Sequence, residues 1–422
     1  MALCSNRRRK TLLRILIVLI PAAFFFACLT YMNAEDAKHR ENFSYQYPQQ
    51  IDRGQERVDF SQGRRDFQTE KFNSKQRRRN ILVIAHGRSG STITGDIFNH
   101  HPSVFYLFEP LQTVERIFKK LGTSDEHYGS LMADILSNLL RCNFSKPVLE
   151  DFDHFYRYPS HRQASHAIGS PPLCPYEMND PKWDPKLCPP MTSESLGSIC
   201  RDKYPVTVAK ILMSRIAGNN IKNILEACKS SDADCQIIFL VRDPRAAIPS
   251  SQSVGFFSNR GSQLSKNGLR LYSYQKCKKT EENLVFLKNL PISRRRRIMI
   301  QRYEDFAMNP LKVLSRLYNF AGLPVLDSVK TWLNKSTHPE QTREKMKIEG
   351  HAAFFTVDDA SVAVNRWRWK VDPCVIDIIE HYCEQVMQMM GYTLVDRSYD
   401  LMANISIPLF SEEYEAKKWF IN

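Results

Sequence analysis

No Gly-x-x-x-x-Gly-Lys-Ser/Thr string occurs in the 422 residues, which excludes the phosphate loop of the nucleoside triphosphatases. No Cys-x-x-Cys pair occurs among the 11 cysteines, so they carry no zinc-type spacing. There is no internal repeat, which excludes solenoids and propellers. Residues 33–79 hold almost no aliphatic side chains and cannot bury a core, so they read as a flexible stem. The formal charge is +14, and part of that excess sits in the amino-terminal and stem arginines. Arg294-Arg295-Arg296-Arg297 lies within the folded part and reads as a solvated turn before a strand. Its alternative role is steering an anionic partner.

The run from Asn80 to Glu109 is the most informative segment present. Ile81–Ala85 is short and fully apolar, as in a strand buried on both faces. The chain then breaks into Gly87-Arg88-Ser89-Gly90-Ser91-Thr92, and helical spacing resumes with Ile93, Ile97 and Phe98. A strand, a loop of glycine and hydroxyls, and a helix make an anion cradle for a phosphate or sulfate. Arg88 adds a fixed charge, and Ser91 and Thr92 add donors. A second buried run, Gln236–Val241, leads into R-D-P-R-A-A-I-P-S, with Pro244 suited to a helix's first turn. Arg242 at the strand end and Ser250 about two turns into that helix can clamp a second phosphate. The plainer alternative has Asp243 only capping the helix and Arg242 pairing with a surface acid.

Further strands are expected at Val104–Phe108, Val206–Leu212 and Arg297–Gln301, with helices between, which predicts a mostly parallel sheet covered on both faces. Pro310–Phe320 and Val375–Met390 read as helices, the second ended by Gly391. Glu109 follows the strand Val104–Phe108 and should emerge at the same sheet edge as the loop. Phe108 and Pro110 flank it, which predicts partial desolvation and a raised pKa, as a general base needs. His86, His100 and His101 are rival bases, and an N-terminal helix contact is the structural alternative for Glu109. Lys210, at the end of another strand, is placed to contact sulfate or acceptor, or to snorkel from the core edge. Trp367 and Trp369 are candidates for stacking, with burial the simpler reading.

Arg7, Arg8, Arg9 and Lys10 precede an apolar run from Leu12 to Met32, interrupted only by Arg14. That length spans a bilayer core, and the flanking charges place the amino terminus in the cytosol. The expected layout is a cytosolic tail 1–11, an anchor 12–32, a lumenal stem 33–79, a catalytic domain 80–400 and a carboxyl-terminal tail 401–422. A cleaved signal peptide is the rival reading. The sequons at Asn42, Asn143, Asn334 and Asn404 would all face the lumen. Nine cysteines follow the anchor, where disulfides form. Cys142, Cys174, Cys188 and Cys200 cluster in a stretch without apolar periodicity, and disulfides there would substitute for a core. Cys374 and Cys383 lie too far apart along one helix to bridge each other. An odd number leaves one free or pairing two chains into a homo-oligomer. A lumenal domain excludes nucleic acid as a partner.

Taken together, Arg-Ser-Gly-Ser at 88–91, V-F-Y-L-F-E-P-L at 104–111, Arg242 to Ser250, R-Y-E-D at 302–305, the N-P-L after it, L-Y-N-F-A-G-L, R-W-R-W-K around Trp367 and Gly391-Tyr392 resemble the Golgi carbohydrate 6-O-sulfotransferases over roughly residues 79 to 397. The resemblance implies a single α/β domain with a P-loop-like donor site behind a transmembrane helix. It implies 3′-phosphoadenylyl sulfate as donor, a galactose, N-acetylglucosamine or N-acetylgalactosamine 6-hydroxyl as acceptor in a glycan or glycosaminoglycan, and no metal. Gly87, Arg88, Ser89, Gly90, Ser91, Thr92 and Ile93 match the 5′-phosphosulfate loop, and Arg242 and Ser250 the 3′-phosphate site. Arg88 is the candidate for charge on the leaving oxygen and Glu109 for the base. One stretch departs from the family: Thr356-Val357-Asp358-Asp359-Ala360 carries an aspartate where an arginine is usual and an alanine where a serine is usual. Asp358 would repel a phosphate and lower donor affinity. Two rivals stand beside this reading. A Golgi glycosyltransferase would need a metal-binding Asp-x-Asp, a spacing met by Asp151-Phe-Asp153 and Asp232-Ala-Asp234. A catalytically weakened lumenal glycan-binding protein would keep the fold and lose the chemistry.

Overall fold

The computed structural model describes residues 78–121, 125–144, 146–156, 159–230, 233–254, 265–337 and 360–420. The expected anchor 12–32, most of the stem, the sequon at Asn42 and the departing stretch Thr356–Asp359 lie outside the described residues. Among the described residues no helix is long and apolar enough to cross a membrane.

Five strands form one sheet: β1 (Arg79–Ala85), β2 (Val104–Phe108), β3 (Val206–Leu212), β4 (Asp234–Val241) and β5 (Ile298–Arg302), in the order β2-β3-β1-β4-β5. All four pairings are parallel. Ile81 to Ala85 are each 0% exposed, and alternate residues face opposite sides, so both faces of the central strand are covered. The apolar runs therefore marked the strands because a central parallel strand has no solvent face. The expected strands are present, with ends shifted by up to two residues: β1 and β4 begin earlier, and β5 sits one residue later.

The helices that shape the site are α1 (Ser91–Asn99), α2 (Leu111–Leu121), α3 (Pro244–Ser253), α4 (Lys266–Lys288) and α5 (Pro373–Met389). α1 packs closely on the sheet at Gly95, where an added Cβ would collide with the Tyr106 hydroxyl. The expected stem ends sooner than residue 79. Arg79 already belongs to β1, and Arg78 Nε donates to Thr207 Oγ1 at 2.8 Å. Nor is 401–420 a tail. Leu409, Tyr414, Ala416 and Phe420 are buried, and Tyr392 forms a β-bridge with Phe410. Its aperiodic sequence hid a segment that packs by a few scattered apolar side chains.

Four disulfides join described residues to one another, and Cys374 is disulfide-bonded as well. Cys142–Cys200 and Cys174–Cys188 tie together the expected cysteine-rich stretch. Cys228–Cys235 joins the end of the helix Ile221–Ser230 to β4, and Cys277–Cys383 ties α4 to α5. Cys383 thus finds its partner on another helix, as the geometry of a single helix required.

Candidate active site

The loop between β1 and α1 reaches its shape through two left-handed residues, Arg88 (φ 66°) and Gly90 (φ 83°). Glycine is needed at 90: the conformation is strained for other residues, and an added Cβ would meet Tyr303 Cδ2 at 2.5 Å. Arg88 Nε donates to Ser250 Oγ at 3.0 Å, and an Arg242 Nη1 donor meets the Arg88 carbonyl at 3.0 Å. Two segments that sequence analysis treated separately are thus bonded into one unit. The Arg242 guanidinium also lies 4.2 Å from the Tyr303 ring centroid. Burial, then the charge of Arg242, pulls the Arg88 pKa down. Both effects are relieved by a bound anion, so the residues fit a phosphosulfate group. Asp243 caps α3, as expected, but Arg242 contacts the loop and Tyr303 rather than a surface acid.

Behind this unit the remaining motif residues act as supports. Arg245 is fully buried, holds Asp243 and Glu380, and lies 4.2 Å from the Trp367 ring. Glu304 accepts from the Asp243 backbone N–H and from the Tyr392 hydroxyl at 2.7 Å. Burial, then neighbouring Asp243, pushes the Glu304 carboxyl up to about 7. Arg302 pairs with Asp305 and donates to the Met390 and Ser411 carbonyls. Trp367 is therefore a packing residue beneath the second clamp, whereas Trp369 is exposed.

Glu109 emerges at the sheet edge, in a left-handed conformation (φ 48°), but its surroundings overturn the expectation of a raised pKa. Register pairs Phe108 with Lys210 across β2 and β3. Lys210 Nζ lies 2.5 Å from Glu109 Oε1, and Arg215 closes on Oε2. Burial alone would raise this carboxyl, yet the two cations outweigh it and hold it at about 2. A carboxylate so held is a poor proton acceptor, and it fixes Lys210 and Arg215 in place. Lys210 does not snorkel: it is buried over the Phe108 ring.

One further acid, unmarked by any sequence motif, is Asp96. It stands on α1, one turn beyond Thr92 and on the same helix face. Burial pushes its carboxyl up to about 7, against the pull of Lys210 and a hydrogen bond from Asn99. Asp96 and Glu109 thus flank one lysine with pKa values driven apart. Among the rival bases, His86 is shut in and pushed down to about 3 by burial, then by Lys276. His100 caps α1 and stacks on Trp332 at 3.8 Å, and His101 Nδ1 accepts from the Ser103 N–H. Of the Asp-x-Asp candidates, Asp151 pairs with Arg116, Asp153 accepts from the Met191 N–H, and Asp234 pairs with Arg297.

The chain matches a family model described as the sulfotransferase family over residues 219–327, which contain β4, Arg242 and Ser250. It is 28% identical to mouse carbohydrate sulfotransferase 3 over 79% of this chain and 72% of that protein. Zebrafish carbohydrate sulfotransferase 1 is 28% identical over 81% of this chain and 84% of its own length. A mouse sulfotransferase solved with PAP is 14% identical, covers 78% of this chain and 88% of its own, and has a TM-score of 0.37. The protein is a sulfotransferase. Along four fifths of its length its relatives are carbohydrate sulfotransferases.

Proposed function

We propose that the protein transfers the sulfuryl group of 3′-phosphoadenylyl sulfate to the 6-hydroxyl of a galactose, N-acetylglucosamine or N-acetylgalactosamine residue in a glycan or glycosaminoglycan. The observation that carries this is the joining of the β1 and β4 loops through Arg88, Ser250 and Arg242. In this reading the N–H groups of Gly87 to Ile93 cradle the 5′-phosphosulfate, and Arg242 with Ser250 holds the 3′-phosphate. Arg88 stabilises charge gathering on the leaving phosphate oxygen. The acceptor's proton passes to Asp96, whose pKa suits a base at neutral pH, while Glu109 positions Lys210 and Arg215. The donor supplies the sulfuryl group, and the reading gives a metal no role.

The same proposal places the protein in the Golgi membrane by residues 12–32, with residues 33 onward in the lumen. Incubating the full chain with labelled 3′-phosphoadenylyl sulfate and an acceptor panel, then mapping the sulfated carbon, tests the reaction. Label on a hydroxyl other than the 6-position would overturn the regiochemistry, and no label on any glycan would overturn the reading. Protease digestion of sealed vesicles tests the topology: removal of the large domain would refute the lumenal placement.

A further inference from the structure

Behind the donor loop lies a small cavity of about 20 Å³, room for a single atom-sized guest. It sits between the ends of β1 and β4 and the helices α4 and α5, and is lined by His86, Ser89, Arg242, Lys276, Cys277 and Thr280 among others. Its floor is fixed by the Cys277–Cys383 disulfide between those two helices. Three of its liners carry polar atoms sealed from solvent with no hydrogen-bond partner: His86 Nε2, Arg242 Nε and Lys276 Nζ. The Lys276 amino nitrogen itself is buried from solvent.

A buried polar atom without a partner costs roughly 1 to 3 kcal/mol, and more when charged. Three around one small space call for a guest. The guest's nature follows from what surrounds it. Arg242 Nε and the Lys276 ammonium can only donate, whereas Thr280 Oγ1 has given its proton to the Lys276 carbonyl and keeps only lone pairs to offer. Among the described residues the charged groups lining the space are Lys276 and Arg242, both positive, with no carboxylate beside them. His86 adds an imidazole whose Nε2 can donate. Burial, then Arg242, pulls the Lys276 amino group down to about 7, which an adjacent negative charge would reverse. A water could donate to the Thr280 or Ser89 hydroxyl, but it would leave the two like charges of Lys276 and Arg242 uncompensated. A monoatomic anion accepts from every side and offsets the repulsion between Lys276 and Arg242.

We infer that this cavity is a binding site for one halide ion of the chloride class, held by Lys276, Arg242 and His86 behind the donor loop. The ion fixes Arg242 through Nε while its Nη1 grips the Arg88 carbonyl, so the site stiffens the loop through Arg242. The inference stands on the cavity and not on the identity of the donor.

The test is a thermal melt of the full-length protein in detergent, at constant ionic strength and neutral pH, with chloride or bromide replacing gluconate. The melting temperature of the wild type should rise with halide, as for any ligand bound only by the folded state. Lys276→Met, close in volume and uncharged, should lose that halide-dependent rise entirely. A wild-type melt indifferent to halide overturns the inference, as does a rise that persists in Lys276→Met. Should the variant not fold, anomalous scattering from crystals grown in bromide decides. A bromine peak within hydrogen-bond reach of Lys276 Nζ and Arg242 Nε sustains the site, and its absence removes it.

Discussion

At the end of β4, Arg242 donates to the Arg88 backbone and stacks on Tyr303, while Arg88 itself leans on the Ser250 hydroxyl. At the end of β3, Lys210 and Arg215 close on the Glu109 carboxylate. Both edges collect positive charge at the same rim of the sheet. On the first, burial and like charge leave Arg88 with a lowered pKa, a condition that an incoming anion improves. On the second, Glu109 and Glu115 together already offset Lys210 and Arg215, so an anionic ligand gains less there. On the proposed reading, this contrast favours the phosphosulfate on the β1–β4 side and the neutral sugar hydroxyl on the β2–β3 side. Asp96, beside that cluster but outside the ion pair, is kept basic by burial, against the pull of Lys210.

The sharpest way to break this contrast is to exchange the two carboxylates' roles. Asp96→Asn removes a base at neutral pH and should lower turnover by about a hundred- to ten-thousand-fold. The wild-type rate should rise with pH through about 7, as Asp96 loses its proton, and that limb should vanish in the variant. If Asp96→Asn keeps turnover and its pH profile while Glu109→Gln abolishes turnover at unchanged stability, the roles are reversed. Next in size is Arg88→Ala. Loss of one positioned donor to developing charge typically costs about a hundred- to a thousand-fold in turnover. Single-turnover rates near wild type would remove Arg88 from the chemistry.

These edges differ also in how far the sequence disclosed them. The Gly87–Thr92 loop and the Arg242 helix are local in sequence: a buried apolar run, then glycine, hydroxyls and a capped helix start. Each could be read from a dozen residues. The Glu109 cluster could not. Lys210 and Arg215 stand 101 and 106 residues away, and only the register Phe108–Lys210 brings them together. From its neighbours alone, Phe108 and Pro110, Glu109 looked desolvated and basic, and the opposite sign came from charges that local sequence does not show. Asp96 left a faint signal, being four residues past Thr92 on one helix face, but apolar spacing at Ile93, Ile97 and Phe98 drew the reading toward packing. The 401–420 segment gave no such signal because its buried residues, Leu409, Tyr414, Ala416 and Phe420, keep no constant period.

Glu109 itself makes the third prediction, on stability rather than rate. Its folded pKa, about 2, lies below its ordinary value of 4.5. Its pairing therefore stabilises the fold above about pH 4.5, and that contribution is lost as pH falls through about 2. A shift of that size corresponds to about 3 kcal/mol at neutral pH. Glu109→Gln should lower the denaturant midpoint accordingly at pH 7, and the gap from wild type should narrow as the pH falls from 4.5 toward 2. A gap constant with pH would mean that the carboxylate is not held as an ion pair.

The smallest effect is expected at Arg242, and it separates grip from chemistry on the donor edge. The 3′-phosphate is remote from the reacting sulfur, so Arg242 should bind substrate and transition state about equally. Removing such uniform binding raises KM and leaves kcat largely unchanged. Charge-assisted hydrogen bonds contribute about 1.5 to 3 kcal/mol each, so Arg242→Ala should weaken donor affinity by about ten- to a hundred-fold. Arg242 also donates to the Arg88 carbonyl, so some slackening of the loop is built into the same variant. Arg242→Lys sorts the two contributions. It keeps the charge but not the planar fork that reaches both the carbonyl and the Tyr303 face. If charge dominates, the lysine variant recovers most of the donor affinity. If the fork's hold on the loop dominates, it recovers little, and kcat falls alongside affinity in both variants. Isothermal titration with 3′-phosphoadenosine 5′-phosphate, paired with turnover at saturating donor, distinguishes these outcomes. Unchanged affinity in Arg242→Ala would place the second phosphate elsewhere.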